Sequence, residues 1–388
     1  MKNLLIGCLL LLAACTKNFD KSYSSIKNNK DEQSCSFGIS EFNMTKRPMI
    51  NLEVSMGKPA NSKGGSGGGI TSNSVNVILL DFDGQYVANT MWNVSGPLNC
   101  TPANLTASEA NLILQRVSAD YAPFNITVTT SETVYNNATP TRRMRVIVTE
   151  TWEWYAQVGG VSYLNSFTWG DNTPCFVFSS LLGYNVKKIA EACSHEVGHT
   201  LGLRHQAVYD ATGVKLSDYN WGQGLGEIGW APIMGAAYNE NLSLWHNGPN
   251  SISSTTMQDD VAKIASVVGL VADEYGNTTS SATSLISLKT GIINNSADID
   301  FFSVKLSTTG IVSLTPDNVG PNNEGSNLDL VLNIYTSQGQ LVATVNDPMI
   351  LNAGITLSPG SYFLSASTTD NQYTNRYGML SKYTVNLN

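Results

Sequence analysis

Residues 194–205 read SHEVGHTLGLRH, a stretch that carries three of the chain's four histidines. The residues leading into it place apolar side chains on one stripe at about 100° per residue, which predicts an α-helix. On the same helical wheel His195 and His199 fall opposite that stripe. Two imidazoles four residues apart lie one above the other on a helix, so both can reach one metal ion. The stripe consists of Val186, Ile189, Ala190, Cys193, Val197 and Leu201.

A glycine and a third histidine extend the motif. Gly202 predicts the end of the helix, because glycine tolerates the left-handed conformation that turns the chain, and His205 then swings back toward the metal. Glu196 lies about 100° around the helix from His195, so its carboxylate flanks the ion without displacing a ligand. Three protein ligands and one open position are the arrangement of catalytic zinc. We therefore expect the three histidines to bind Zn²⁺, with Glu196 as the catalytic acid/base; a helical coincidence is the alternative.

The motif also carries a family resemblance. HEVGHTLGLRH resembles the HExxHxxGxxH signature of the metzincin zinc peptidases. Residues 231–235, APIMG, resemble the turn that these enzymes place beneath the zinc, where the methionine, here Met234, packs without binding metal. The resemblance extends over about 75–272 to bacterial reprolysin-like peptidases that carry a pre-peptidase C-terminal domain. Gln206 departs from the better-known subfamilies, and Tyr238 stands four positions after the methionine instead of two, so the subfamily and the role of this tyrosine stay open.

The resemblance implies an endopeptidase that hydrolyses peptide bonds of protein substrates. A water activated by Zn²⁺ would attack the scissile carbonyl, with Glu196 as the general base that then returns the proton to the leaving amine. The strand near 160–167 would form the antiparallel edge of the sheet, to which an extended substrate adds.

Two other functions compete with the endopeptidase. One is a surface-tethered binding protein or adhesin whose metal site is silent or structural. Glu196 disfavours it, because a structural zinc site needs no carboxylate beside its ligands and tends to have four protein ligands. The other is a zinc hydrolase that acts on bonds other than peptides, which the motif disfavours only weakly. Neither the preferred cleavage sequence nor the oligomeric state is predicted.

Strands alternate with helices on the N-terminal side of the motif. The run 75–80 predicts a buried strand, and a capping box between Thr106 and Glu109 predicts a helix that Pro123 stops. This alternation predicts an α/β (α+β) catalytic domain over 73–272, metzincin-like, with a mixed sheet and an active-site helix. Further strand-like runs lie at 124–128, 144–148, 160–167 and 175–179.

The region 273–388 has a different pattern. Apolar residues alternate with polar ones between turns, which predicts an all-β sandwich, jelly-roll-like in its form. The region resembles the pre-peptidase C-terminal domain. Four of its acids suit Ca²⁺, a hard ion that prefers carboxylates, whereas turn-forming and solubilising acids are the alternative. These acids are Asp273, Glu274, Asp298 and Asp300.

The N-terminus predicts export. Residues 1–14 combine Lys2 with a short apolar run and form a signal peptide. The sequence LAAC that ends at Cys15 resembles the bacterial lipobox, which implies lipidation of this cysteine and a membrane anchor; an ordinary secretory signal is the alternative. The protein would then lie in the bacterial cell envelope, at the outer membrane or cell surface, or outside the cell after release. Residues 15–72 would form the lipidated N-terminus and a flexible linker or pro-segment.

Charge and cysteine content limit the partners and the chemistry. A net charge of -8 with 13% charged residues argues against nucleic acid, since phosphate binding needs a basic surface. The mature chain keeps four further cysteines in a compartment that permits disulfides, and the sequence does not choose among their three pairings. A thiolate at Cys35 could alternatively occupy the open zinc position in a latent form. The four are Cys35, Cys100, Cys175 and Cys193.

Overall fold

The computed structural model describes residues 75–317, 320 and 324–388, and the backbone alone of residues 34–38. The predicted signal peptide, Cys15 and most of the predicted linker lie outside the described residues. All described residues belong to one compact unit. None of the helices among them has the length and apolarity needed to span a membrane.

The part that precedes residue 269 contains all four α-helices of the described chain. They are α1 (Ala107–Asp120), α2 (Glu132–Asn137), α3 (Val186–Thr200) and α4 (Asp260–Val268). The strands of this part are β1 (Ser34–Gly38), β2 (Asn76–Asp81), β3 (Gln85–Val87), β4 (Leu98–Cys100), β5 (Ile126–Thr129), β6 (Arg143–Thr149), β7 (Val158–Tyr163), β8 (Cys175–Phe178), β9 (Val208–Tyr209), β10 (Lys215–Ser217), β11 (Trp230–Pro232), β12 (Leu242–Leu244), β13 (Asn247–Pro249) and β14 (Met257–Asp259).

Six of these strands form one mixed sheet in the order β1-β7-β8-β6-β2-β5. The four strands from β8 to β5 are mutually parallel, whereas β7 runs antiparallel to β8. Every residue of β2 is buried, as expected of a continuous apolar run covered on both faces of a sheet. The mixed α/β character predicted for this part is therefore observed.

The edge of the sheet differs from the prediction. The strand expected over 160–167 ends at Tyr163 and is followed by a short 3-10 helix, and it is the second strand of the sheet instead of the outermost. The backbone of β1 pairs with it antiparallel from outside, with Cys35 opposite Ser162 in the register. A pairing between segments so distant in sequence leaves no local pattern by which it could be predicted.

Helices α1 and α3 pack against each other, and α3 carries the histidine motif. The hydroxyl of Thr106 accepts from the Glu109 backbone N–H, and the Glu109 carboxylate accepts from the Thr106 N–H, so the predicted capping box starts α1. Asn185 caps α3 by accepting from the Lys188 N–H at 3.0 Å. The apolar stripe of α3 lies in a core shared with Val177 and other residues of the sheet, so the opposite stripe is the one available for chemistry.

Residues beyond 282 form two further sheets. Five strands pair in the order β15-β17-β22-β19-β20 and four in the order β16-β23-β18-β21. Side chains of both sheets, such as Phe302 and Leu364 from one and Val312 and Val385 from the other, fill one core, which makes this part a β-sandwich. Its strands are β15 (Thr283–Ser284), β16 (Leu288–Ile293), β17 (Asp300–Leu306), β18 (Gly310–Pro316), β19 (Leu330–Thr336), β20 (Leu341–Val345), β21 (Ala353–Leu357), β22 (Gly360–Thr368) and β23 (Ser381–Leu387).

The sandwich core also takes in residues of the preceding part. Ile228, Trp230, Leu242 and Leu244 are buried in it, although they lie in the segment between α3 and α4. The Trp230 indole N–H donates to the Tyr373 carbonyl of the sandwich at 2.8 Å. The two predicted domains therefore meet through a shared apolar core.

Candidate metal centre

Three imidazoles converge at the C-terminal end of α3. The ring centroids of His195 and His199 are 4.6 Å apart. The ring centroid of His205 lies 5.1 Å from that of His195 and 4.8 Å from that of His199. One nitrogen of each ring falls within 4.8 Å of the others. The structure thus brings the three histidines of the motif together around one point.

Hydrogen bonds fix the tautomers of the two helical imidazoles. His195 Nδ1 lies 2.7 Å from the Ile233 carbonyl oxygen, and His199 Nδ1 lies 2.7 Å from that of Leu203. Since a carbonyl oxygen only accepts, each Nδ1 carries the proton and Nε2 presents its lone pair. Backbone carbonyls commonly orient metal-binding histidines in this way.

The donor set suits a divalent cation. Burial lowers the pKa of His199 to about 4 and those of His195 and His205 well below the ordinary value, so all three rings are neutral at neutral pH. The Nε2 atoms of His199 and His205 are buried and accept no hydrogen bond from the described residues. Neutral imidazoles whose lone pairs point to one place are the ligands that zinc takes in catalytic sites.

The turn that returns His205 to the helix depends on Gly202. Its φ is 97°, in the left-handed region, and its N–H donates to the His199 carbonyl at 2.8 Å. A Cβ at this position would also force the Asn165 side chain to move, but the left-handed backbone is what requires glycine. The helix therefore ends where the sequence predicts and for the predicted reason.

Glu196 is fully buried between α3 and β7. The Ser162 hydroxyl donates to Glu196 Oε2 at 2.6 Å. A Cβ on Gly160 would lie 2.7 Å from Glu196 Cγ, so the close approach of strand and helix requires glycine. Ser162 and Gly160 were not predicted as part of the site; their contact with Glu196 depends on how β7 packs on α3.

Met234 lies directly beneath the helix that carries the histidines. Its side chain is fully buried, and its sulfur lies 2.5 Å from the position that a Cβ on Gly198 would take. Its carbonyl accepts from the Gln206 N–H at 2.8 Å, which ties the turn to the residue after His205. The methionine supports the site by packing, as the resemblance implies.

Two tyrosines complete the surroundings of the imidazoles. The Tyr219 ring lies 4.3 Å from that of His205 and 6.4 Å from that of His195, centroid to centroid. The Tyr238 hydroxyl is buried, and burial, followed by the charge of Glu196, raises the pKa of Tyr238 well above its ordinary value. Tyr238 therefore stays protonated. Tyr219 was missed in the sequence, since the loop that carries it has no periodic pattern.

Gln206 and His246 lie close together beside the turn that follows the motif. Gln206, the departure from the family pattern, is fully buried, and its Nε2 donates to Asp260 Oδ1 at 2.9 Å, which joins the turn after the motif to α4. His246, the fourth histidine of the chain, is half-buried, with its ring 5.1 Å from that of Trp230, and burial lowers its pKa to about 4.

The cysteines of the described region form no disulfide. Cys100, Cys175 and Cys193 are buried free thiols, so the pairings among these three that the sequence left open do not occur. Burial raises the pKa of Cys100 to about 11, and it raises those of Cys175 and Cys193 as well, so all three remain protonated and unreactive. The sulfur of Cys35 lies outside the described residues.

A second cluster of ligands lies in the sandwich. Oxygen atoms of Asp273, Asp298 and Asp300 fall within 4.8 Å of one another. Asp298 and Asp300 are 3% and 0% exposed, and their Oδ1 atoms have no hydrogen-bond partner among the described residues. Burial raises the pKa of Asp298 to about 6 and that of Asp300 to about 8. The fourth predicted acid, Glu274, is not brought into this cluster; its Oε1 accepts from the Ile292 N–H at 2.5 Å.

Comparisons with known proteins give little beyond this geometry. No protein-family model and no curated protein matches the chain. Among solved structures, the pre-peptidase C-terminal domain of a collagenase from Bacillus anthracis is similar to 30% of this chain over 100% of its own length, with 13% identity and a TM-score of 0.20. A periplasmic inhibitor of g-type lysozyme from Aeromonas hydrophila covers 26% of this chain and 82% of its own, with 8% identity and a TM-score of 0.18. Neither comparison bears on the metal centre.

Proposed function

We propose that the protein is a zinc-dependent endopeptidase of the metzincin type. The observation that carries the proposal is the convergence of three neutral imidazoles within 4.8 Å beside the buried carboxylate of Glu196. Three protein ligands leave a coordination position for solvent, which is the arrangement of hydrolytic zinc. A silent or structural site gives no reason to bury a carboxylate at the same place, because taking a charged group out of water is costly.

Each residue of the centre has a distinct task. His195, His199 and His205 would hold Zn²⁺ through Nε2. When bound, the ion supplies a Lewis acid and lowers the pKa of a coordinated water toward about 7. Glu196 takes the proton of the attacking water and delivers it to the leaving amine. Ser162 holds the carboxylate in place through the hydrogen bond to Oε2.

Strand β7 would provide the binding edge for protein substrates once β1, which pairs with it from outside, has left it. The backbone of Ser34–Gly38 already pairs with it antiparallel, so this edge accepts an extended chain as an added strand. A substrate that adds in the same way would run past Ser162 and hence past Glu196, which is bonded to it. Backbone pairing of this kind is largely independent of sequence, which suits an endopeptidase.

The experiment that tests the proposal combines metal content with cleavage of a denatured protein. Purified wild-type chain should bind zinc and cleave casein, and Glu196→Gln should keep the zinc and lose cleavage by at least about 100-fold, because the proton acceptor is gone. Glu153→Gln is the matched control, since Glu153 is exposed and far along the chain from the motif. Equal cleavage by wild type and Glu196→Gln would overturn the proposal, and zinc binding without any cleavage would favour the surface binding protein.

The carboxylate cluster of the sandwich supports a second cofactor. Asp273, Asp298 and Asp300 would hold Ca²⁺, which takes carboxylate oxygens and would supply the charge that the buried, unpartnered Oδ1 atoms lack. Solubilising acids lie in water, whereas two of these three are almost fully buried.

The cellular location that we propose rests on the N-terminal sequence. A diacylglycerol on Cys15 would anchor the mature chain in the bacterial cell envelope, with extracellular proteins as substrates. Cys15→Ala should abolish incorporation of labelled palmitate and release the protein to the soluble fraction. Retention of both label and membrane association in this variant would contradict the anchor.

A further inference from the structure

The carboxylate of Asp120 lies where three parts of the protein meet. Asp120 is the last residue of α1 and is 4% exposed. Its Oδ1 accepts from Asn327 Nδ2 of the sandwich region at 2.8 Å, and its Oδ2 accepts from the Ser194 hydroxyl of α3. Ser194 immediately precedes the first candidate metal ligand, His195. One buried carboxylate therefore connects the sandwich to the helix of the metal centre.

A second set of hydrogen bonds joins the same two partners. Asn327 Nδ2 also donates to the Ser243 carbonyl at 2.5 Å, and the Ser243 hydroxyl donates to Glu191 of α3. Glu191 is paired with Lys187 at 3.1 Å on the buried face of the same helix. Asn327 of the sandwich is thus linked to α3 by two routes. One runs through Ser243 to Glu191 and the other through Asp120 to Ser194, and the two ends lie about one helical turn apart.

The backbone around Asp120 is held equally firmly. Trp245 Nε1 donates to the Asp120 carbonyl at 2.7 Å, and the Tyr121 hydroxyl donates to the Ser194 carbonyl at 2.8 Å. The Ser381 hydroxyl of the sandwich donates to the Ala119 carbonyl at 2.8 Å. With the backbone fixed in this way, the direction of the Asp120 carboxylate is set by its two side-chain donors.

Burial makes the carboxylate dependent on those donors. Burial, followed by the charge of Glu191, raises the pKa of Asp120 to about 8, whereas the bonds from Ser194 and Asn327 lower it. Loss of either donor leaves a buried oxygen without a partner, which costs more than the loss of an exposed hydrogen bond. A rearrangement of α1 against α3 is the expected response.

We propose that Asp120 is a positioning residue through which Asn327 of the β-sandwich sets the position of Ser194 and hence of the His195 imidazole. The inference rests on the proposed function, for which the placement of that ring matters. A displacement of about 1 Å at such a centre costs up to about 100-fold in rate. The sandwich is therefore part of the peptidase instead of an appended module.

The test uses the full mature chain and two substitutions on opposite sides of Asp120. Asn327→Ala removes the donor from the sandwich, and Ser194→Ala removes the donor from α3. Each should weaken zinc binding in a chelator competition by about tenfold, the usual effect of losing a residue that orients ligands. The visible spectrum of the cobalt-substituted centre should change, and kcat for casein should fall with KM nearly constant. Asn333→Ala, within β19 and bonded only to sandwich residues, is the matched control.

The double variant separates positioning from general destabilisation. Because each substitution removes a donor of the same carboxylate, Asn327→Ala with Ser194→Ala should weaken zinc binding no more than about twofold beyond the stronger single variant. Multiplicative effects of the two substitutions, or wild-type zinc affinity and cobalt spectrum in folded Asn327→Ala, would overturn the inference. Should Asn327→Ala fail to fold, Ser194→Ala decides by the same two readouts.

The metal readouts also keep this inference distinct from the proposed function. If the wild-type chain cleaves no protein, the endopeptidase proposal fails, while zinc affinity and the cobalt spectrum still show whether Asn327 affects the three-histidine centre. If the wild type cleaves casein and Asn327→Ala matches it in kcat, zinc affinity and spectrum, only the role of Asp120 is lost.

Discussion

The sulfur of Met234 lies 2.5 Å from the point where a Cβ on residue 198 would stand, and residue 198 is glycine. This relationship gives the fourth residue of HEVGH a physical meaning, because the turn beneath the histidines can approach the helix only where the helix has no side chain. The close approach also keeps the Ile233 carbonyl within hydrogen-bond distance of His195 Nδ1, at 2.7 Å.

Gly198→Ala should destabilise the protein by up to about 2 kcal/mol. At an exposed helical site alanine would gain about 1 kcal/mol over glycine, but here it overpacks the contact with Met234, at a cost of about 1–3 kcal/mol. Urea unfolding measures the difference, and zinc retention should fall with it. Gly354→Ala is the control, since its Cβ would meet nothing nearer than 3.4 Å. A stabilised Gly198→Ala variant would contradict the packing argument.

Ser162→Ala should lower kcat about tenfold while zinc stays bound. The substitution removes the hydrogen bond to Glu196 Oε2, and hydrogen bonds to charged groups contribute about 1.5–3 kcal/mol. Steady-state cleavage and metal analysis measure the two effects. Ser180→Ala, which removes a bond to the Glu150 carbonyl instead, should leave both unchanged. Unchanged kcat in Ser162→Ala would show that packing alone orients Glu196.

Asp329→Asn should stabilise the protein at pH 8. Burial raises the pKa of Asp329 from 3.8 to about 6, with one hydrogen bond from Asn371 lowering it. When the pKa of a carboxyl group is raised in the folded state, its protonated form stabilises the fold at pH values below 4. This contribution is lost as the pH rises through about 6. The variant should therefore gain about 1–3 kcal/mol at pH 8 and almost nothing at pH 3.5. Denaturant titrations at the two pH values check this, and an equal difference at both would refute the assignment.

Calcium should raise the unfolding temperature of the chain by a few degrees. A ligand present at 100 times its dissociation constant stabilises the folded state by about 2.7 kcal/mol. Scanning calorimetry with Ca²⁺, with Mg²⁺ and with chelator measures the shift, which Asp300→Asn should abolish. Asp347→Asn, at an exposed acid, should retain it. An unchanged unfolding temperature of the wild type in Ca²⁺ would contradict the proposed calcium site.

Exchange of residues 34–38 for a glycine-serine stretch of equal length should raise kcat/KM several-fold, as measured from cleavage rates at low substrate concentration. The backbone of β1 occupies the edge of β7 where a substrate strand would add, so its removal ends the competition. Cys35→Ala, assayed under reducing conditions, distinguishes this backbone effect from a thiolate on the metal, since only the latter would respond to it. Identical activity in the exchanged and wild-type chains would show that β1 leaves the edge readily.

Local sequence patterns predicted the helices, turns and strands. They could not predict the contacts between segments that are distant in sequence. The stripe before His195, the turn at Gly202 and the capping box at Thr106 depend on neighbours in sequence, and the structure has all three. The alternation after residue 282 likewise predicted a sandwich. Whether cysteines pair, where β1 lies and which side chains surround Glu196 depend on the tertiary approach of strands and helices, for which the sequence carries no periodic signal.

The four apolar side chains that the segment before α4 contributes to the sandwich core have a consequence for truncation of the chain. Trimming of the C-terminus after Val268 would expose Ile228, Trp230, Leu242 and Leu244 to water, at about 1.5–3 kcal/mol for each aliphatic side chain. That sum is comparable to the whole stability of an ordinary domain. Shortened forms that end near Val268 should therefore precipitate or be degraded, so the part that holds the three histidines depends on the sandwich for its solubility.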